Sequence, residues 1–386
     1  MAAINLKNDP LTFSEVSQEA DYYDIWLFTS ARRYKHISMY ETDKSASALA
    51  WHSDGCKGLF VGTDEAVNNE LILYSLPIVN FSDKDRLSKN REMSILAATT
   101  CAGACHAIVS APSTFMDPNI VVRTEQVSAA MFIHSLQGEM DDATIHEIKL
   151  LHTENLFTSQ MYPPTVQLSG NTSLLCSVSL QQLMWYDVFS LAKVEEFYKD
   201  DEALTEPVST IFCLDDNICI TCGSRTGRSM LIDRRVPNAF TNLLSPVSDS
   251  GARWLLSGMR GNDVIRLNDN NELTLGDIRK PGTDKCQCML EAPIRTRTVP
   301  FTSQVSKNML SLSGKDNQVR LYDLEGIEKN QLLRPEFFHD GHLPDIEGGD
   351  MPRITSHCWS QTAEPLIASA SNTGQLHIWK HDQEKG

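Results

Sequence analysis

The amino-acid sequence predicts an all-β chain, a seven-bladed propeller closed on itself by an N-terminal strand. A unit of strand, polar turn and second strand recurs seven times, its anchor residues 44 to 59 positions apart, close to the span of one blade plus loop insertions. Short alternating apolar runs recur throughout, while apolar stretches of helical period and length are almost lacking, which disfavours helical and α/β arrangements. Only six residues follow Trp379-Lys380. The last blade must therefore borrow its outer strand from the start of the chain, the usual way a ring of strands hides an open edge.

Taken in order, residues 1–20 are expected to be a flexible tail and residues 21–386 the propeller, with 21–30 as the closing strand of the last blade. The run DYYDIWLF, Asp21 to Phe28, has the aromatic composition of a strand. SASALAWHS supplies the first inner strand, and GLFVGTDEAVNNELILYS the next two, ending at Ser75. Later copies end at His134 (NIVVRTEQVSAAMFIH), Asp187 (SLLCSVSLQQLMWYD), Asp233 (ICITCGSRTGRSMLID), Asp277 (VIRLNDNNELTLGD), Asp323 (MLSLSGKDNQVRLYD) and Lys380 (LIASASNTGQLHIWK). SLAKVEEFYKDD, the best helix candidate, also fits an outer strand. Blade boundaries within 87–172 are the least defined.

The last two copies place alternating apolar residues after a turn rich in Gly, Asn and Asp. They resemble the WD-repeat signature, which makes the propeller WD40-type. Only Tyr322-Asp323 and Tyr186-Asp187 keep an aromatic residue followed by Asp. The buried hydrogen-bond network of such a repeat needs His, Ser or Thr, a turn Asp and Trp. Here Gly341-His342, Ser369 and Trp379 are the nearest set, with Asn372 or Thr373 in place of the turn Asp. Without the full network, blades are expected to lean on packing and to differ in stability around the ring.

Lys and Arg number 34 and Asp and Glu 50, a net charge of -16. That excess opposes attraction to nucleic-acid phosphates and anionic lipid, and favours a basic partner. Neither a secretory leader nor an apolar run of membrane-spanning length is found. The ten cysteines sit mostly in apolar strands, as reduced core thiols do. A cytoplasmic or nuclear protein without disulfides is the expectation.

Cys219 and Cys222, Cys286 and Cys288, and Cys101, Cys105 and His106 have spacings that zinc ligands can use. On a strand, however, residues two apart share a face and residues three apart do not, so Cys219 and Cys222 would need a bulge to share an ion. His339, His342 and Asp345 resemble a metal-hydrolase pair in spacing alone, because such ligands ride on helices. Asp345, Glu347 and Asp350, around Gly348-Gly349, match no calcium loop. They read instead as an acidic interaction loop. Nucleophile-elbow, phosphate-loop, zinc-protease and dinucleotide motifs are absent, so no catalytic residue, cofactor or metal ligand is assigned. The acidic run of Glu195, Glu196, Asp200, Asp201, Glu202 and Glu206 reads as a solvated face or a handle for a basic partner. The basic run from Arg32 to His36 is too short for a nucleic-acid site.

Two stretches go further than a generic repeat. YYDIWLF followed by ALAWHSDGCKGLFVGTDEAVNNELILYSLP, and the C-terminal FHDGHLPDIEGGDMPRITSHCWSQTAEPLIASASNTGQLHIWK, resemble the WD repeat-containing protein seventy-three family. The resemblance implies a non-enzymatic cytoplasmic propeller, without cofactor, that helps assemble the nuclease module of the Integrator complex and so serves small nuclear RNA processing. The implied partners are the Integrator endonuclease subunit, its paralogue and a helical-repeat chaperone, with further links to the nucleus, spindle and cell cycle. The protein is expected to be a monomer within a hetero-complex, without direct contact to nucleic acid or membrane. Candidate partner contacts are His342, Asp345, Glu347, Asp350 and Met351, in the insertion before the last blade. The alternative is a substrate receptor of a cullin-RING ubiquitin ligase. Asp233-Arg234-Arg235 and Asp277-Ile278-Arg279 resemble the adaptor-binding box of such receptors, with Arg235 and Arg279 as contacts, although Ile232 and Gly276 stand where that box has Trp.

Overall fold

In a ring of sheets each blade is covered on both faces, so alternation along a strand must feed two different cores. The computed structural model describes residues 25–26, 29–52, 58–77, 92–110, 119–125, 130–137, 143–152, 165–169, 173–236, 239–246, 251–282, 284–293, 302–314, 316–327, 331–344, 352–362 and 365–382. They form seven sheets. After β1 (Tyr34–Glu41), the first blade is built from β2 (Ala46–Trp51), β3 (Gly58–Thr63), β4 (Asn69–Ser75) and β5 (Ser94–Cys101). The second contains β6 (Cys105–Ser110), β7 (Asn119–Glu125), β8 (Ala130–Gln137) and β9 (Thr144–His152), and the third β10 (Thr165–Ser169), β11 (Ser173–Ser177), β12 (Gln182–Asp187) and β13 (Lys193–Tyr198). Blade four is β14 (Val208–Cys213), β15 (Ile218–Gly223), β16 (Ser229–Asp233) and β17 (Phe240–Leu244); blade five is β18 (Trp254–Arg260), β19 (Asp263–Asn268), β20 (Glu272–Asp277) and β21 (Asp284–Leu290). Blade six uses β22 (Thr302–Ser306), β23 (Met309–Ser313), β24 (Val319–Asp323) and the short β26 (Phe337–His339). Between the last two, β25 (Leu332–Leu333) reaches back and pairs in parallel with the outer edge of blade five at β21. Blade seven is β27 (Ile354–Trp359), β28 (Ile367–Ser371) and β29 (Gln375–His381), completed by β1.

The seven sequence anchors all fall on the third strand of a blade, namely β4, β8, β12, β16, β20, β24 and β29. At β8 the anchor is displaced. Gly58 pairs with Ser75 and Ser173 with Asp187, whereas in blade two Asn119 pairs with Leu136, so the strand continues past His134. SLAKVEEFYKDD contributes the outer strand β13, whose Lys193–Tyr198 alternate between exposed and half-buried.

The closing strand is a correction. The principle holds, because an N-terminal strand pairs antiparallel with β29, Ile37 opposite Trp379 and Met39 opposite His377. The segment is Tyr34–Glu41 instead of 21–30, where the described residues 25–26 and 29–30 are helical. Aromatic content misled the reading. Trp26 is buried against the seam as a side chain and contributes no ladder hydrogen bond of a strand. The expected tail, residues 1–20, lies outside the described residues.

Packing follows the ring. In blade one, Leu59, Val61, Ile72 and Tyr74 face the last blade, while Phe60, Leu71 and Leu73 face blade two. Seven such wedges of buried side chains, one per blade junction, take the place of a single core. Polar groups staple some wedges. The fully buried Arg266 donates to Thr274 Oγ1 (2.6 Å) in its own blade and to the Ser245 carbonyl (2.8 Å) of the preceding linker, with Asp284 3.0 Å away. Among the described residues no helix is long and apolar enough to cross a membrane.

Gly374 sits in the turn before β29 with φ +83°, a region that side chains with Cβ adopt at a cost. A Cβ there would also lie 2.3 Å from the Thr42 carbonyl, just past the closing strand. Gly261 has φ +58° but open space around it. Both alanine variants should lose about 1 kcal/mol to backbone strain, and Gly374→Ala should lose about 1–3 kcal/mol more from overpacking. Denaturant midpoints of the two variants check this; equal losses would mean that the turn yields freely.

Candidate functional site

The closure seam brings together residues far apart in the chain. The alternation in GQLHIWK puts Gln375, His377 and Trp379 on one face of β29, turned toward blade six. Against that face lie β26 and the linker after it. Tyr34 at the start of β1 places its hydroxyl 2.8 Å from His339 Nδ1, and His339 Nε2 lies 3.0 Å from His377 Nδ1. His342 Nε2 meets Ser369 Oγ at 3.0 Å, and Trp379 Nε1 donates to the same oxygen at 3.1 Å. The N-terminal segment is tied to the linker as well. Trp26 Nε1 and Arg33 Nη2 both donate to Asp340 Oδ1 at 2.7 Å.

The His, Ser and Trp of the expected repeat network are thus assembled, and only its acid is missing. Asn372, at the turn, accepts from the Arg353 backbone instead. His342 Nδ1 is left without a hydrogen-bond partner. Gln375 runs alongside and favours the charged ring slightly, yet it fails to offer an acceptor in hydrogen-bonding geometry. Burial dominates and holds His339 and His342 well below the usual histidine range, with His377 at about 3.

His342 is therefore corrected from candidate partner contact to core residue. It is 0% exposed, because the Gly-His pair opens the last blade by turning inward onto Ser369. Asp345, Glu347, Asp350 and Met351 lie outside the described residues, between Pro344 and Pro352. His339 and His342 do come together, but their third neighbour is His377, which sequence spacing alone did not single out. The polar residues at inward positions of GQLHIWK were the available signal.

The other candidates separate. Arg235 and Arg279 occupy equivalent turns of blades four and five, and each grips the acid two residues earlier with two hydrogen bonds of 2.7–2.9 Å. Their side chains remain 55% and 66% exposed. This pairing pulls Asp233 down to about 2 and Asp277 lower still. Cys219 packs in the wedge between blades three and four, Cys222 in the next, so the two cannot share an ion. Burial raises Cys222 to about 11 and Cys288 to about 12, as in core thiols. Cys286 and Cys288 share one wedge. Cys105 is buried against Gly62, and its neighbour Cys101 is half-exposed. In the acidic run, Glu206 is buried and caps the turn at Arg225 and Thr226, whereas Glu196 pairs with Lys193 in solvent.

No family model matches the chain. It is 24% identical to a human protein, "Integrator complex assembly factor WDR73", over 92% of this chain and 97% of that protein. The sheet ring, the assembled His342–Ser369–Trp379 set and this end-to-end likeness agree. The chain is a seven-bladed WD-repeat-type propeller similar to WDR73 over most of its length. The likeness is low in identity but spans most of both chains.

Two buried histidines outside the closure set an acid limit. His357, between Ser311 and Ser313 (2.7 and 2.6 Å), is lowered from 6.5 to about 3 by burial. His134, beside the buried Arg123–Glu125 pair, is lowered to about 4 by burial and then by Arg123. Below pH 6.5 the unfolded chain takes up protons that the folded chain refuses. Stability should fall through the window from 6.5 toward 4 by about 1.4 kcal/mol per pH unit for each such group. Urea midpoints across this range should drop steadily, and His357→Gln should remove one proton's worth of the slope.

Proposed function

We propose that this propeller is a non-catalytic assembly scaffold that binds and stabilises the Integrator RNA-endonuclease module, together with a helical-repeat chaperone partner. The carrying observation is the end-to-end likeness to an Integrator assembly factor in a chain whose architecture offers broad, rigid loop faces. Loops held by such a frame suit docking of large partners. Its place of action is the cytoplasm, with nucleus and spindle as further sites, and its contribution is to small nuclear RNA processing before the module is complete. The contact residues are Asp345, Glu347, Asp350 and Met351, whose flanks Leu343 and Arg353 emerge at the edge of the closure seam. The acidic excess of the chain, -16 overall, steers a basic partner surface toward it.

Affinity recovery of the tagged full-length chain from cytosolic extract tests this. Endonuclease-module subunits should co-purify, and recovery should fall between low and physiological salt, since exposed charge pairs are screened over a Debye length of about 8 Å. Changing Asp345, Glu347 and Asp350 together to Ala should weaken recovery by about tenfold or more, as loss of several rim charges does; unchanged recovery would dismiss the loop as the contact.

A second reading rests on the exposed, acid-oriented guanidiniums of Arg235 and Arg279 in adjacent blades. It takes the chain as a cullin-RING substrate receptor. That reading requires a ligase adaptor in the same purification, lost on Arg235→Ala with Arg279→Ala; adaptor recovery without Integrator subunits would favour it over the first.

A further inference from the structure

The hydrogen bonds of the closure seam leave two buried atoms unexplained. His342 Nδ1 and Gln375 Oε1, the one beside the other in the interior between blades six and seven, make no hydrogen bond of good geometry. Each orphaned polar atom costs about 1–3 kcal/mol, and native proteins rarely keep them without a reason. One ring nitrogen from each of His339, His342 and His377 lies within 4.8 Å of the others. A void of about 40 Å³, lined by Met39, Glu41, Gly341, Leu343 and Gln375 among others, reaches His377.

We propose that His339, His342 and His377 bind a divalent cation of the zinc class, which rivets the closing strand to the last two blades. His342 has Nδ1 to offer, since Nε2 is held by Ser369; Tyr34 holds His339 Nδ1, and the 3.0 Å hydrogen bond that His339 Nε2 now shares with His377 Nδ1 would give way to the ion. Fixing the outer nitrogen through a hydroxyl is how a second coordination layer orients an imidazole ligand. The fourth position falls to Gln375 Oε1 or to water in the void. Neutral imidazole is the ligand form, and burial keeps all three rings neutral.

The placement of His339 is close to what coordination needs. His339 stands nearly perpendicular to His342 and to His377, with centroids 5.2 and 5.1 Å apart. Two imidazoles on one tetrahedral zinc have centroids about 5 Å apart. One adjustment is required. His342 and His377 are stacked at 3.9 Å with an 18° tilt; a metal lies in the plane of each imidazole that binds it, so one of these rings must turn about its side-chain bonds and move away by about 1 Å to meet that tetrahedral spacing. The void beside His377 and Gln375 gives the room. Three neutral ligands leave the ion's charge uncancelled, and Glu41 supplies the opposite charge among the void's lining residues. Bound there, the ion would join β26, the linker after it and β29, and through Tyr34 also β1.

The test uses the full-length chain, stripped with a chelator at neutral pH and then offered Zn²⁺ alone. About one equivalent should be retained through gel filtration, as expected for one closed site, and melting should shift upward in a way that chelator reverses. Co²⁺ should give the intense visible absorption of a tetrahedral site. His342→Gln and His377→Gln should each weaken binding by about tenfold or more, while His134→Gln and Cys101→Ser leave it intact. Wild-type protein that takes up under about a tenth of an equivalent overturns the proposal, whatever the variants do. So does uptake that survives both glutamine changes or disappears with Cys101→Ser. The assembly reading does not depend on either result, because it is read by partner recovery.

Discussion

Everything in this molecule depends on how a linear chain closes a ring. Seven sheets can each bury both faces only if the first meets the last. The join is the antiparallel pairing of β1 with β29, seven residue pairs long with one irregularity near Tyr34. If it opens, blade seven loses its outer strand, and the wedges on either side of that blade lose their lateral support. Closure is thus the step that turns seven marginal sheets into one cooperative structure.

The seam that carries this load is rich in buried polar and aromatic groups. Tyr34, Phe337, Trp379 and His339 pack edge-to-face or stacked at centroid separations of 4.6–6.1 Å, and the Tyr34 hydroxyl and Trp379 indole both find hydrogen-bond partners. Hydrogen bonds are directional where apolar contact is not. A network running from β1 through β26 to β29 therefore selects one register for the closing strand, at the expense of burying groups that must be satisfied. Asp340 adds a second tie by accepting from both Trp26 and Arg33. The linker after β26 leaves this seam directly after His342.

Away from the seam the blades use different solutions to the same packing problem. Blade two buries the Arg123–Glu125 pair with His134 and lays the guanidinium 3.9 Å from the centre of the Phe132 ring. Blade five uses Arg266 as a cross-blade staple. Blade five also receives the parallel β25 from blade six, which covers part of its outer edge. Such buried charges are held in place by their partners, and they substitute for the repeat network that most copies of the sequence unit have lost.

By itself the sequence determined the ring and its count. Period-two alternation and seven recurring anchors suffice, because strand burial is a local property that a repeated unit displays in every copy. Alternation even tells which thiols share a wedge, as Cys219 and Cys222 show by parting to opposite faces. The tertiary structure alone decided which N-terminal segment closes the ring. Tyr34–Glu41 has no stronger strand character than the aromatic run before it, and only its reach and register against β29 select it. It also decided the fate of the histidines. His342 sits in a polar, Gly-rich stretch that reads as surface, yet it turns inward to Ser369. His339, His377 and Tyr34 meet because contacts across 38 and 305 residues of chain arise from ring closure, and no local pattern in the sequence records them.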